Sequence, residues 1–325
     1  MQARRQSFET ICKRLRLPLI AAPMFLVSGV DLVVASARAG IIGSFPTANC
    51  RSAEQLDDWL TQIGRELTAH EQAAGQPAGI CCPNLIVHKS NPQLAEHLAV
   101  VARHRPAVVI ASVGSPAAVV APLHDVGTFV FADVATIEHA HKAIAAGADG
   151  LVLLSAGAGG QTGWLNPFAF VRAVRAFFDG PIVMAGGISD GTALAAAQTL
   201  GCDLGYMGTP MIATHESMAV DAYKTMLTQC SADDVLLTRA FTGLATNMLR
   251  PSIARAGLDP NALPERGSID IAKDISVEGR AHRPARWKDI WSAGHTVSAV
   301  TATLSVAALV ARTERQYQAA KCVRC

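Results

Sequence analysis

The sequence predicts a (β/α)8 TIM barrel with a smaller, mostly helical additional domain. Two observations carry that prediction. Eight apolar runs of strand length recur between helix-like stretches over about 210 residues, a length that suits such a barrel. The runs are also apolar nearly throughout, as strands covered on both faces must be. Strand alternating with helix implies parallel pairing through right-handed crossovers. A doubly wound open sheet shares this rhythm, because pattern alone does not show closure.

The runs are Leu19 to Pro23, Ile41 to Phe45, Ala78 to Val87, Ala107 to Val113, Thr128 to Val134, Asp149 to Ser155, Pro181 to Gly186 and Leu204 to Gly208. Helix-like stretches such as Asp31 to Ala39 and Leu56 to Leu67 separate them. A weak internal echo supports repeated units: HKAIAAGADGLVLL and AAAQTLGCDLGYMG each set a helix, a glycine (Gly147, Gly201), an Asp and a strand in order. Such a glycine suits a left-handed helix cap. After Gly208 the rhythm changes. Ser217 to Thr228, Asp234 to Leu237 and Ile253 to Ala256 read as short helical pieces, broken by Pro251, Pro260, Pro264 and Pro284. Trp287 to Ala293 then leads into a final helix, Val297 to Ala320. The expected division is a barrel over 1–210, a helical substrate-side addition over 211–286, and a C-terminal helix returning to the barrel over 287–325.

Composition bounds the class. Half of the 325 residues are hydrophobic and 17% are charged, which permits a large core and excludes disorder. A net charge of +2 argues for neither nucleic acid nor a membrane surface. The basic start, Arg4 to Arg16, is interrupted by Glu9 and followed by no long apolar run, so a cytoplasmic location is expected. The apolar stretch Ala299 to Ala311 is short for a bilayer span and reads as a packed helix. Reduced thiols are expected for the eight cysteines, and the Cys322–Cys325 pair is weak evidence for zinc.

The chemistry is expected at the C-terminal ends of the strands. After the seventh strand come Gly186, Gly187, Ile188, Ser189, Asp190 and Gly191, then a helix. Glycines permit close backbone approach, and a helix N-terminus offers N–H groups to an anion. Gly187 and Gly191 also fit ordinary turns, with Ser189 or Asp190 as a cap. Gly208 and Thr209 follow the eighth strand. The sixth opens into Ala156-Gly157-Ala158-Gly159-Gly160 and then presents Gln161 and Thr162, a seat for a flat ligand. Gly157-Ala158-Gly159 looks like the start of a dinucleotide fingerprint, yet Gly163 falls one place late for it.

Across nearly the whole chain the sequence resembles the FMN-dependent nitronate monooxygenases, formerly called 2-nitropropane dioxygenases, and their relatives, the flavin-dependent enoyl reductases. The resemblance rests on ordered blocks: IAAPMFLVSG, NLIVHKSNP, FADVATIEHAHKAIAAGADG, GAGGQTGWLNPFAF, PIVMAGGISDG, LGYMGTPMIATHES, FTGLATNMLRPSI and WKDIWSAGH. It implies a barrel that carries FMN. Ala22, Pro23 and Met24 would line the flavin, Asn84 would be a polar contact, and Ala158, Gly159 and Gly160 would flank the ring. Gly186, Gly187, Gly208 and Thr209 would hold the phosphate. Asp133, at the end of the fifth strand, suits a cofactor contact or a loop-closing role. His88 suits a substrate-side position or a cap.

Three departures bear on mechanism. The family's catalytic histidine in GGHxG is Gln161 here, and glutamine carries no proton that titrates near neutrality. The usual Arg after Gly-Thr is Pro210, and the related SAGQ reads SAGH, placing His295 where the family has glutamine. That exchange suggests His295 as the acid–base group; a polar residue at a helix start is the alternative. The expected activity is oxidation of alkyl nitronates with O2. NAD(P)H-dependent reduction of an enone, enoyl thioester or quinone is the rival, and a flavin-binding protein without activity a third.

Overall fold

The computed structural model describes residues 2–267, 269, 272 and 289–322. In chain order its elements begin with α1 (Gln2–Lys13), β1 (Leu19–Ala21), α2 (Val30–Arg38), β2 (Ile42–Pro46), α3 (Ala53–Ala74), β3 (Cys81–Ile86), α4 (Leu94–His104), β4 (Val108–Ser112), α5 (Ala117–Asp125), β5 (Phe129–Val134), α6 (Ile137–Ala145) and β6 (Gly150–Leu154). They continue with β7 (Gly160–Gln161), α7 (Pro167–Arg175), β8 (Ile182–Ala185), α8 (Gly191–Leu200), β9 (Leu204–Met207) and α9 (Thr209–Ile212). The parallel strands close in the order β1-β2-β3-β4-β5-β6-β8-β9, with β1 pairing both β2 and β9. The open-sheet alternative is thereby excluded. Each of the eight predicted runs contains one barrel strand, displaced by at most a few residues at its ends.

Alternation along the strands sorts the core. Ile20, Ile42, Ile110, Phe131, Val152 and Val183 pack together inside the barrel. Their neighbours Leu19, Leu151, Leu153 and Ile182 pack outward beneath the helices. Phe8 of α1 seals the N-terminal end of the barrel, with ring centroids 6.1 Å from Phe129 and 5.5 Å from Phe131. Helix starts follow local capping chemistry: Ser52, Thr136 and Asp190 accept from backbone N–H groups of α3, α6 and α8.

The addition is helical in α10 (Asp221–Gln229) and α11 (Arg250–Arg255). It also contributes two strands, β10 (Val235–Thr238) and β11 (Thr246–Leu249), which form an antiparallel sheet with β7 in the order β10-β11-β7. The stretch from Asp234 to Leu237 is therefore a strand from Val235 onward, and not a helix. Three apolar residues, Val235 to Leu237, are too few to nucleate a helix, and the edge of β11 satisfies their backbone.

The final helix is also split. A 3-10 turn covers His295–Ala299, and α12 runs from Val306 to Cys322. Between them Leu304 donates to Ala213 O (3.2 Å) and accepts from His215 N (2.9 Å), which holds that stretch extended. The Glu216 carboxylate accepts the Val306 N–H at 3.0 Å and so starts the helix. The expected boundary at 286/287, with Pro284 and Trp287, lies outside the described residues, as does Cys325. The described cysteines are free. Among the described residues no cluster could hold a metal, and no helix is long and apolar enough to cross a membrane.

α12 returns to the barrel against α8. A Cβ on Gly191 would lie 2.0 Å from Thr313 O and 2.2 Å from Tyr317 N, both backbone atoms of α12. Gly191→Ala is expected to push α12 away and destabilise by about 1–3 kcal/mol, or more if the helix cannot shift. Gly64→Ala, at a mid-helix site with nothing within 4 Å, is expected to stabilise by roughly 0.5–1 kcal/mol. Denaturant midpoints of the two variants check both signs.

Candidate active site

The last inward-facing residue of each strand lies at the C-terminal mouth, where a cavity of about 250 Å³ opens. Its floor includes Asn84 from β3, Ser112 from β4, Asp133 from β5, Leu154 from β6, Ala185 from β8 and Tyr206 from β9. Asn84 Nδ2 donates to Ser112 Oγ (3.0 Å) and to Ile110 O (3.2 Å). Asp133 differs: its Oδ1 is shut off from solvent and has no hydrogen-bond partner. Burial pushes its carboxyl up to about 7.

One wall is the loop from Gly157 to Gln161. Its conformation requires glycine, with φ of +89° at Gly157 and +65° at Gly160. Its back is pressed against the C-terminal segment: a Cβ on Gly159 would lie 2.7 Å from Gly294 N. Asn247 Nδ2 donates to Ala158 O (2.7 Å), and His295 N donates to Gly157 O (2.9 Å). Gln161 pairs with Thr246 through the short sheet and is among the residues that line the cavity. No hydrogen bond to that amide occurs among the described residues.

Gly186, Gly187, Gly208 and Thr209 line the opposite side. Gly187 has φ +85° and open space where a Cβ would stand. Thr209 Oγ1 accepts from Gly294 N at 2.9 Å, which leaves its proton to donate. The α8 N-terminus is engaged elsewhere: Asp190 caps Ala193 N (2.9 Å), and Gly191 N reaches Gln316 Oε1 (3.3 Å). An anion here would be held by the glycine backbone and Thr209, with Asp190 serving as the helix cap.

The addition and the segment after residue 289 supply the roof. Tyr223 and Trp291 stack with centroids 4.8 Å apart and planes 12° off parallel. The Arg255 guanidinium lies 3.6 Å over the Trp291 ring. The Tyr223 hydroxyl donates to Ser292 O, and burial pushes it up to about 12. Thr242 and Thr246 also line the roof, and both hydroxyls donate to Leu244 O.

The cavity thus brings together Ala22, Pro23, Met24, Asn84, Asp133, Ala158, Gly159, Gly160, Gln161, Gly186, Gly187, Gly208 and Thr209. His88 and His295 are not on its lining. His88 shapes the turn after β3, its Nδ1 2.7 Å from Ser90 Oγ. His295 is exposed and begins the 3-10 turn, with its ring packed behind Gly157. Asn49 holds the loop after β1, donating to Met24 O (3.1 Å) and Ser28 O (2.8 Å). Residue-level reading missed Ser112, Tyr206, Tyr223, Thr242, Thr246 and Trp291. Thr242 and Thr246 stand in FTGLATN and Trp291 in WKDIWSAGH, blocks in which only His295 was assigned a role.

Among the described lining residues only Asp133, Tyr206 and Tyr223 titrate, and none is Lys or Arg. A smooth backbone wall, an open glycine cradle and a polar floor with one unpartnered acid fit a flat, phosphate-bearing ligand of the flavin kind.

Comparison with known proteins agrees. The sequence model of the nitronate monooxygenase family matches residues 7–313. A nitronate monooxygenase from Paraburkholderia phytofirmans is 30% identical over 231 residues, which cover 67% of this chain and 63% of that protein, less than two thirds of its length. The nitroalkane oxidase structure from Streptomyces ansochromogenes is 25% identical, with a TM-score of 0.72 and coverage of 96% of this chain and 99% of that one. FabK from Thermotoga maritima shares the fold, with a TM-score of 0.78 at 21% identity over 95% of this chain and 96% of that one. With a family match over nearly its whole length, the chain belongs to the nitronate monooxygenase family.

Proposed function

We propose that the protein is an FMN-dependent oxidoreductase that oxidises alkyl nitronates with O2. The observation that carries this reading is Gln161, which lines the cavity with no hydrogen bond to its side-chain amide among the described residues. Bound FMN would accept the electron pair and pass it to O2, and the protein supplies position and electrostatics. Ala158, Gly159 and Gly160 would flank the ring, and Ala22, Pro23 and Met24 would face it from β1. Gly186, Gly187, Gly208 and the Thr209 hydroxyl would hold the phosphate. Asn84 and Asp133 would meet the polar part of the cofactor from below.

Gln161 would donate its amide N–H to a nitronate oxygen. It has no means of removing a carbon-bound proton. A nitronate is already deprotonated, so this site suits it without a base. A neutral nitroalkane needs one; the Tyr223 hydroxyl, pushed up to about 12, stays protonated near neutrality, and Asp133 would lie beneath the cofactor, away from the substrate. His295 has only its backbone N–H in the wall and acts on the position of Gly157.

A second reading has its own support. The stacked Tyr223–Trp291 pair and Leu244 make part of the roof flat and apolar. That surface suits a planar enone or quinone reduced at the expense of NAD(P)H.

Three outcomes are expected. Nitronates should turn over faster than the corresponding neutral nitroalkanes by about 10²–10⁴, and Gln161→His should narrow that gap. Comparable turnover of both by the wild type would refute the argument from Gln161. Anaerobic mixing should bleach the flavin with nitronate faster than with NADH or NADPH; the reverse order selects the second reading. Gly208→Ala should weaken FMN binding by roughly tenfold, about 1.4 kcal/mol. It should leave apoprotein stability unchanged, since the added Cβ would stand 3.6 Å from Ala22 Cβ and 3.7 Å from Met24 Sδ, ordinary contacts. Binding titrations and thermal melts together check this.

A further inference from the structure

Three described side-chain atoms are buried without a hydrogen-bond partner: Ser36 Oγ, His97 Nε2 and Asp133 Oδ1. The first two belong to α2 and α4, outside the barrel. Asp133 alone faces the cavity. No ion pair among the described residues includes it.

Among the described cavity residues there is no Lys, Arg or His to stabilise a charge on it. β4 and β6 flank it with Ser112 and Leu154, neither of which titrates. The Ser112 hydroxyl is turned to Asn84 Oδ1 (3.3 Å) and Leu85 O (3.5 Å). Across the barrel interior stand Tyr206 and Cys82, both held neutral by burial well above their ordinary ranges. On α5 and α6, outside the strand, His124 meets Asp149, Lys142 meets Glu138, and His141 stacks on Phe177. His139 stands on the same outer helix, α6. Burial without a compensating cation brings the carboxyl to about 7, so near neutrality both of its forms are populated.

Resting on the reading that FMN fills this cavity, we propose that Asp133 is the proton site coupled to the cofactor's redox state: its carboxylate takes up a proton from water when the flavin is reduced and returns it on reoxidation. Reduction would bring the ring two electrons from the donor and one proton, from NAD(P)H as part of a hydride or from water when a nitronate is the donor, and leave it with one negative charge. The Asp133 carboxylate, sharing a low-dielectric cavity with that charge, accepts a second proton, and an O–H bond forms. The cavity's net charge is then unchanged by reduction. When O2 removes the electron pair, the Asp133 proton goes back to water. Asp133 thereby sets how readily the cofactor is reduced as pH changes, and stands apart from the Gln161 side where substrate would bind.

The test compares wild type with Asp133→Asn. FMN binding is measured first by fluorescence titration; if neither protein binds FMN, the cofactor reading fails and this proposal with it. With FMN bound, the proteins are reduced anaerobically with dithionite between pH 7 and 9, and the midpoint potential is followed. The wild type should take up two protons per flavin and the variant one, so the slope of potential against pH should halve. Equal slopes in both, with FMN bound, would overturn the proposal and leave the cofactor reading intact. A measurement on wild type alone guards against a variant that misfolds: the reduced-minus-oxidised infrared spectrum should gain a protonated carboxyl band that shifts in D2O, and its absence counts against Asp133. The apoprotein gives a further check with the sign defined. Because the folded carboxyl holds its proton up to about 7 and the unfolded one only to about 3.8, wild-type stability should fall as pH rises between those values. Asp133→Asn should lack that decline, and an identical pH dependence in both proteins would contradict the proposal.

Discussion

The structure depends on one backbone-to-backbone contact. Gly157 to Gly159 lie directly against Ala293 and Gly294, closer than any side chain would allow. The contact is fastened by Gly157 O with His295 N and by Ala158 O with Asn247 Nδ2. It joins three parts of the molecule that are distant in sequence: the sixth barrel strand, the hairpin of the addition and the segment that precedes α12. Without it the cavity would have a floor and no wall. Glycine occurs on both sides of the contact because a Cβ on Gly159 would lie 2.7 Å from Gly294 N and one on Gly294 2.5 Å from Gly157 O.

That contact also explains what was legible in the amino-acid sequence. The barrel strands were, because each needs an apolar run on both faces and the helices between them carry their own caps, as at Thr136 and Asp190. Closure was not, since Leu19 to Ala21 would look the same whether or not β9 stood beside it. β10 was not, because Val235 to Thr238 takes its conformation from β11 and not from its own pattern. The glycine wall and the cradle were legible as a site because small residues at strand ends have few other uses. The place of His295 was hidden. Its position three residues after Ser292, which lines the cavity, says nothing of the loop backbone between its ring and the ligand.

The cavity is polar in a divided way. The floor belongs to the barrel and holds Asp133, whose carboxyl burial pushes up to about 7. The roof belongs largely to the addition and offers satisfied hydroxyls and stacked rings. Barrel strands hold their side chains rigidly, so an unpaired carboxyl can persist there at a cost the surrounding fold offsets. Among the roof residues Tyr223 sits on α10, Thr246 on β11 and Thr242 on the turn before it, all outside the barrel sheet. The floor and the roof are in this way placed on different elements.

The wall contact has a consequence for synthesis. All eight barrel strands are complete once residue 207 has been made, yet Asn247, Gly294 and the Gln316 that meets α8 come later. A nascent chain at that stage has a floor and a glycine cradle open to solvent. Domains generally assemble from the N-terminus as they are translated. The cavity at the barrel mouth is therefore walled and roofed only by the residues made last, after the scaffold around it has formed.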